Sequence, residues 1–75
     1  MDKTIYYNNL YDYYGELLTD KQRDYYEDYY FNNLSLAEIA ENYKVSRNAI
    51  HNQLKLAILK LEMYEKTLKL YEKRL

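Results

Sequence analysis

From Arg47 to the end of the chain nothing interrupts a helical pattern. Ile50, Leu54, Ala57, Leu61, Tyr64, Leu68, Tyr71 and Leu75 recur in alternating steps of four and three, the rhythm of a coiled-coil seam. A helix of about 28 residues is about 42 Å long, whereas a compact chain of this size has a radius of gyration of only about 11 Å. Such a helix is expected to project beyond the globule. A second apolar stripe, Leu56, Leu59, Met63 and Leu70, lies elsewhere on the same helix. One stripe can close the chain's own core and the other needs a partner, so self-association is expected. The seam positions Leu61, Tyr64, Leu68 and Tyr71 are the expected contacts of a homodimer.

The rest of the chain is equally poor in material for strands and hairpins. It has no proline and one glycine, Gly15, which points to an all-α fold. Seventy-five residues make one domain, close to the size at which a single core is marginal without help. The absence of cysteine excludes disulfides and thiolate metal sites and fits a cytoplasmic protein. No apolar run is long enough for a signal peptide or a membrane span, so neither secretion nor membrane insertion is expected. Twelve tyrosines could stack on bases. The doublets Tyr25/Tyr26 and Tyr29/Tyr30 instead stand one helical turn apart, as packing residues do.

Local signals divide the chain into four helices. Ile5/Tyr6, Leu10, Tyr13/Tyr14 and Leu17 recur at helical spacing over about residues 3–17, with Gly15 weakening the last turn. "TDKQ" at 19–22 has the form of a capping box and opens a second helix over about 20–31, which Asn32 and Asn33 end. "SLAE" at 35–38 is a second capping box, opening a short helix that ends near Asn42. Ser46 caps the last helix, expected over about 47–74.

Residues 35–55 carry the apolar skeleton of a helix-turn-helix. Ile39 and Ala40 lie inside its first helix, Tyr43 and Val45 flank the turn, and Ile50 and Leu54 lie inside its second. Ala40 lets the helices cross closely and Val45 is placed to plug the corner. Lys44 stands where the turn requires a positive φ and usually takes glycine or asparagine, at a cost of about 1 kcal/mol. Arg47, Asn48, His51 and Asn52 are left facing outward where this motif meets a major groove. Arginine can fork onto guanine or a phosphate, asparagine can pair with adenine, and histidine can donate or accept. Ser46, with the free amides at the helix start, and Lys55 complete the expected nucleic-acid-binding set.

Charge both opposes and supports that reading. The chain carries a net charge of −1, and nucleic-acid binders are usually basic. Yet residues 42–61 contain no Asp or Glu and include Lys44, Arg47, Lys55 and Lys60. The acidic residues Asp24, Glu27 and Asp28 of the second helix are expected to face away from phosphate. With so few cations, a monomer should bind weakly and in a salt-sensitive way, and a dimer with two heads more strongly.

The segment "LLTDKQRDYYEDYYFNNLSLAEIAENYKVSRNAIHNQL" resembles the YlxM family of small helix-turn-helix proteins, and the likeness extends over nearly the whole chain. The helix-turn-helix half is more broadly similar to the promoter-reading domain of sigma factors. The resemblance implies an all-helical DNA-binding fold, a bacterial dimer, and a role in the signal recognition particle pathway. It supports Arg47, Asn48, His51 and Asn52 as readers, supplies no catalytic residues, and implies that members continue past the residue at which this chain stops.

These readings together give a transcription regulator that docks its last helix on duplex DNA. The alternatives are an accessory of protein targeting that contacts the signal recognition particle RNA or GTPase, and an oligomerisation module. An enzyme is not expected. With one histidine and no cysteine, no glycine-rich phosphate cradle and no metal-ligand spacing, nothing marks a catalytic, metal or cofactor site. The carboxylate pairs Glu62/Glu65 and Asp24/Asp28 have the spacing of solvated helix charges.

Overall fold

A computed structural model describes residues 3–74. The chain is all-α, with α1 at Thr4–Tyr14, α2 at Asp20–Tyr30, α3 at Leu36–Tyr43, α4 at Arg47–Leu68 and α5 at Leu70–Arg74, and a 3₁₀ turn over Gly15–Leu17. No helix among the described residues is long and apolar enough to cross a membrane.

Three helix starts follow from side-chain caps. The Thr19 hydroxyl accepts from the Gln22 amide at 3.1 Å and the Gln22 side chain accepts from the Thr19 amide at 3.2 Å. Ser35 and Glu38 repeat the exchange at 3.1 and 2.9 Å, and Ser46 accepts from the Ala49 amide at 3.0 Å. Each satisfies amides that the first turn leaves without an intrahelical acceptor. Two stops are also as expected. Asn33 takes φ 62° just beyond α2, and Lys44 takes φ 57° beyond α3. At Lys44 the Val45 amide donates to Ala40 and the Lys44 amide to Glu41, the paired bonds of a Schellman turn.

The core lies where α4 meets the other helices. Leu10 and Tyr14 of α1, Leu18 of the connection that follows, Tyr25 and Tyr26 of α2, Ile39 and Ala40 of α3, and Ile50, Leu54, Ala57 and Leu61 of α4 are buried together. The tyrosine doublet of α2 is therefore packing material, with Tyr11 stacked on Tyr26 at 4.5 Å between ring centroids and 4° between planes. Leu10 and Tyr14 of α1 are buried as expected, but the ends of the expected stripe are not. Ile5 is 76% exposed and Leu17 is 51% exposed, because Tyr7, Leu10, Tyr11 and Tyr14, one stripe at i, i+3, i+4 and i+7, supply its inner side.

The last helix departs most from expectation. It stops at Leu68 and does not project to residue 74, because Lys69 takes φ 56° and turns the chain back. Side-chain acceptors reward the turn. The Glu65 carboxylate accepts from the amides of Tyr71 at 3.1 Å and Glu72 at 2.8 Å, and the Tyr14 hydroxyl accepts from the Leu70 amide at 3.0 Å. The same hydroxyl donates to Glu65 Oε1 at 2.5 Å. Tyr71 then packs against the rings of Tyr6 and Tyr13 on α1, so the short helix covers the end of the bundle.

Candidate functional site

The helix-turn-helix skeleton is present as packing. Ile39, Ala40, Ile50 and Leu54 are all buried between α3 and α4. Val45 fills the corner only in part, at 39% exposure. Tyr43 leans edge-on against Tyr25 with centroids 4.9 Å apart. This packing fixes which side of α4 is spent on the core and leaves the opposite side of its first turns to solvent.

Ser46, Arg47, Asn48, His51, Asn52 and Lys55 are all exposed. Ser46 is committed to the helix cap through its hydroxyl. Among the described residues, the other five make no side-chain hydrogen bond within the chain, and the one ion pair, Arg23 with Asp20, is elsewhere. Arg47 and Lys55 therefore carry charges that nothing in the fold neutralises, and Asn48, His51 and Asn52 present unused donors and acceptors. The neighbouring Gln53 and Lys60 differ, since Gln22 of α2 donates to the Gln53 side chain and accepts from the Lys60 ammonium, both at 3.2 Å. That polar link secures the flank of α4 and holds the Lys60 side chain against α2, whereas those of Arg47 and Lys55 are unheld.

The acid-free stretch of sequence is not acid-free in space. Asp28 accepts from Asn32 at 3.0 Å and from the Tyr43 hydroxyl at 3.4 Å, so α2 brings a carboxylate up to the turn. Burial, then the carboxylates of Asp28 and Asp24, push the Tyr43 phenol above its ordinary value, which keeps it a neutral donor. The expectation that the acidic residues of α2 all face away is corrected at Asp28, because Tyr43 packs back onto that helix.

The expected dimer contacts are distributed differently. Leu61 is completely buried and belongs to the chain's own core. Tyr64 is half-buried, its hydroxyl donating to the Leu17 carbonyl at 3.3 Å, and Tyr71 is half-buried against α1. Leu68 is 45% exposed; Leu75, the last seam position, lies outside the described residues. The unpartnered face is the second stripe, where Leu56, Leu59 and Met63 are each about half exposed. It continues the line of Asn52 down α4 at i+4, i+7 and i+11, the repeat of one helix face.

The whole chain, residues 1–75, matches the UPF0122 family, described as "Putative helix-turn-helix protein, YlxM / p13 like". Similar proteins are bacterial. A UPF0122 protein of Shouchella clausii is 48% identical over 97% of this chain and 67% of its own length. One of Oceanobacillus iheyensis is 49% identical over 97% and 70%, and one of Halalkalibacterium halodurans is 47% identical over 99% and 71%. The chain thus spans about two thirds of the length of these relatives.

Proposed function

The chain belongs to the UPF0122 family, and from that premise we propose that it is a DNA-binding regulator that docks the first two turns of α4 in the major groove. The observation that carries this reading is the exposed group Arg47, Asn48, His51 and Asn52, without intrachain partners, at the capped start of the second helix of a helix-turn-helix. In such a pose Arg47 forks onto a guanine edge or a phosphate, and Asn48 or Asn52 pairs with an adenine. His51 and Lys55 lie further along toward the backbone, and the amide-rich starts of α3 and α4 hold phosphates. Asp28 beside the turn limits the attraction, so a single head binds weakly and with a strong dependence on salt.

Two heads overcome that weakness through effective concentration. The face that supports a homodimer is the stripe of Leu56, Leu59 and Met63, because Leu61 is already used. No catalytic step is assigned to the protein. The reading is tested by fluorescence anisotropy of labelled duplex DNA, and of signal recognition particle RNA, across a salt series. Preference for the duplex, with a salt slope that drops by about one in Arg47→Ala, supports it. Equal and negligible duplex affinity before and after Arg47→Ala overturns it. Preference for the RNA replaces it with the protein-targeting accessory.

A further inference from the structure

A cavity of about 460 Å³ opens beside the exposed polar face of α4. Tyr29 and Tyr30, at the end of α2, form its aromatic wall; Leu36, the first residue of α3, and Leu54 and Ile58 of α4 form its apolar floor. His51 and Lys55, four residues apart on α4, stand at its rim, which puts both on one face of the helix. The two tyrosine rings meet edge to face at 5.0 Å. A mostly apolar and aromatic lining with a few converging polar groups is the usual constitution of a small-molecule site.

The chemistry of an occupant follows from what lines the cavity. Its polar side chains are the Lys55 ammonium, the His51 imidazole and the phenols of the two tyrosines, Lys55 is the one lysine or arginine among them, and no carboxylate is among the lining residues. Lys55 has no ion-pair partner among the described residues. Two further cavities lack this combination. One is lined by Asp12, Glu16 and Glu27; the other holds the Asp20 carboxylate beside Lys21, and its Lys60 is bonded to Gln22. We propose that the cavity between Tyr29, Leu36 and Ile58 binds a small planar aromatic molecule bearing one anionic group, its ring between the tyrosine wall and the apolar floor and its charge on Lys55 and His51. Both rim residues also belong to the nucleic-acid face. A consequence that rests on the proposed function is that occupant and duplex exclude each other, which would make the binding ligand-responsive.

The test uses 2-naphthoate as the probe, with 2-naphthol as a neutral molecule of similar size, titrated into the ¹⁵N-labelled chain and followed by amide chemical shifts. Saturable shifts are expected at residues 29, 30, 36, 51, 54, 55 and 58. Naphthoate should bind more tightly than naphthol, and Lys55→Gln should weaken naphthoate about tenfold while leaving naphthol unchanged, as expected for loss of one charge-assisted contact. Ile58→Trp should fill the cavity and abolish both. Lys55 is exposed, so its variant keeps the test decisive even where Ile58→Trp fails to fold. Equal affinity for the two probes, shifts centred on Leu56, Leu59 and Met63, or no saturation at millimolar concentration would overturn the proposal. Competition by naphthoate against labelled duplex is read separately, so failure of duplex binding leaves the ligand measurement intact.

Discussion

Replacing Tyr14 with phenylalanine removes one oxygen from the interior and tests how the end of α4 is held. The Tyr14 ring is completely buried. Its hydroxyl bridges the Glu65 carboxylate and the Leu70 amide at 2.5 and 3.0 Å, while Glu65 keeps the amides of Tyr71 and Glu72. A hydrogen bond to a charged group contributes about 1.5–3 kcal/mol, and an amide left without an acceptor adds to the loss. A cost of about 2 kcal/mol is therefore expected for Tyr14→Phe. It is a large share of the roughly 4–11 kcal/mol available to a domain of this size, and it corresponds to a fall in Tm of about 8–16 °C. Thermal unfolding followed by circular dichroism, with Glu65→Gln and the double variant completing a cycle, measures it. The two single losses should be strongly non-additive. A Tyr14→Phe loss below about 0.5 kcal/mol, or strict additivity with Glu65→Gln, would refute the bridge as the element that reverses the chain at Lys69.

Burial alone would raise the Glu65 carboxyl, but the Tyr14 hydroxyl and the amides of Glu72 and Tyr71 outweigh it and hold the group below the usual glutamate value. Its contribution is therefore present above the unfolded-state value near pH 4.3 and lost as pH falls through the lower folded value; denaturation curves between pH 5 and 2 should fall more steeply for the native chain than for Glu65→Gln. A Cβ on Gly15 would lie 3.0 Å from the Tyr11 ring, which is stacked on Tyr26 and bonded through its hydroxyl to Glu27. Gly15→Ala should thus lower the urea midpoint, although alanine favours the helix by about 1 kcal/mol. Lys44→Gly relieves a left-handed backbone and should raise stability by about 0.5–1 kcal/mol in the same assay. The proposed homodimer predicts that the native chain self-associates in sedimentation equilibrium and that Leu59→Lys together with Met63→Lys is monomeric with Tm changed by no more than a few degrees; a monomeric native chain would refute the dimer, and a variant that still associates would place the interface elsewhere.

Much of the helical plan is legible because it is written in short-range chemistry. Thr19 with Gln22, Ser35 with Glu38, and Ser46 each announce a helix start within four residues of sequence, and Asn33 and Lys44 mark stops whose backbone sign follows from their place. The end of α4 is different. Lysine at 69 is no stop signal, and what stabilises the turn is a carboxylate and a phenol, Glu65 and Tyr14, the second 56 residues away from the amide it serves. Such a contact has no local trace, so an unbroken heptad rhythm does not imply an unbroken helix. The tyrosines blurred α1 for a related reason. They occur on several sides of the helix, and only tertiary packing selects Tyr7 and Tyr11 over Ile5 and Leu17 beside the expected Leu10 and Tyr14.

The exposed group on α4 was legible from spacing, since the buried positions Ile50, Leu54, Ala57 and Leu61 imply its opposite face. The approach of Asp28 to the turn was not, because it depends on Tyr43 packing back onto α2. Nor was the cavity at Tyr29, whose walls come from three helices. The assignment of the coiled-coil positions to a partner shows the same limit. Periodicity reports that a face is apolar, and only the surrounding helices decide whether it closes the chain's own core or waits for a second copy.

The claim at the centre of this account is that the first turns of α4 are a reading surface. Mapping the amide shifts of the ¹⁵N-labelled chain on titration with duplex DNA at low salt tests it most directly. The largest changes are expected at residues 46–55, with smaller ones near Ser35 at the start of α3, all fading as salt is raised. Perturbations confined to α1 and α5, or none at a duplex concentration that saturates binding, would contradict it.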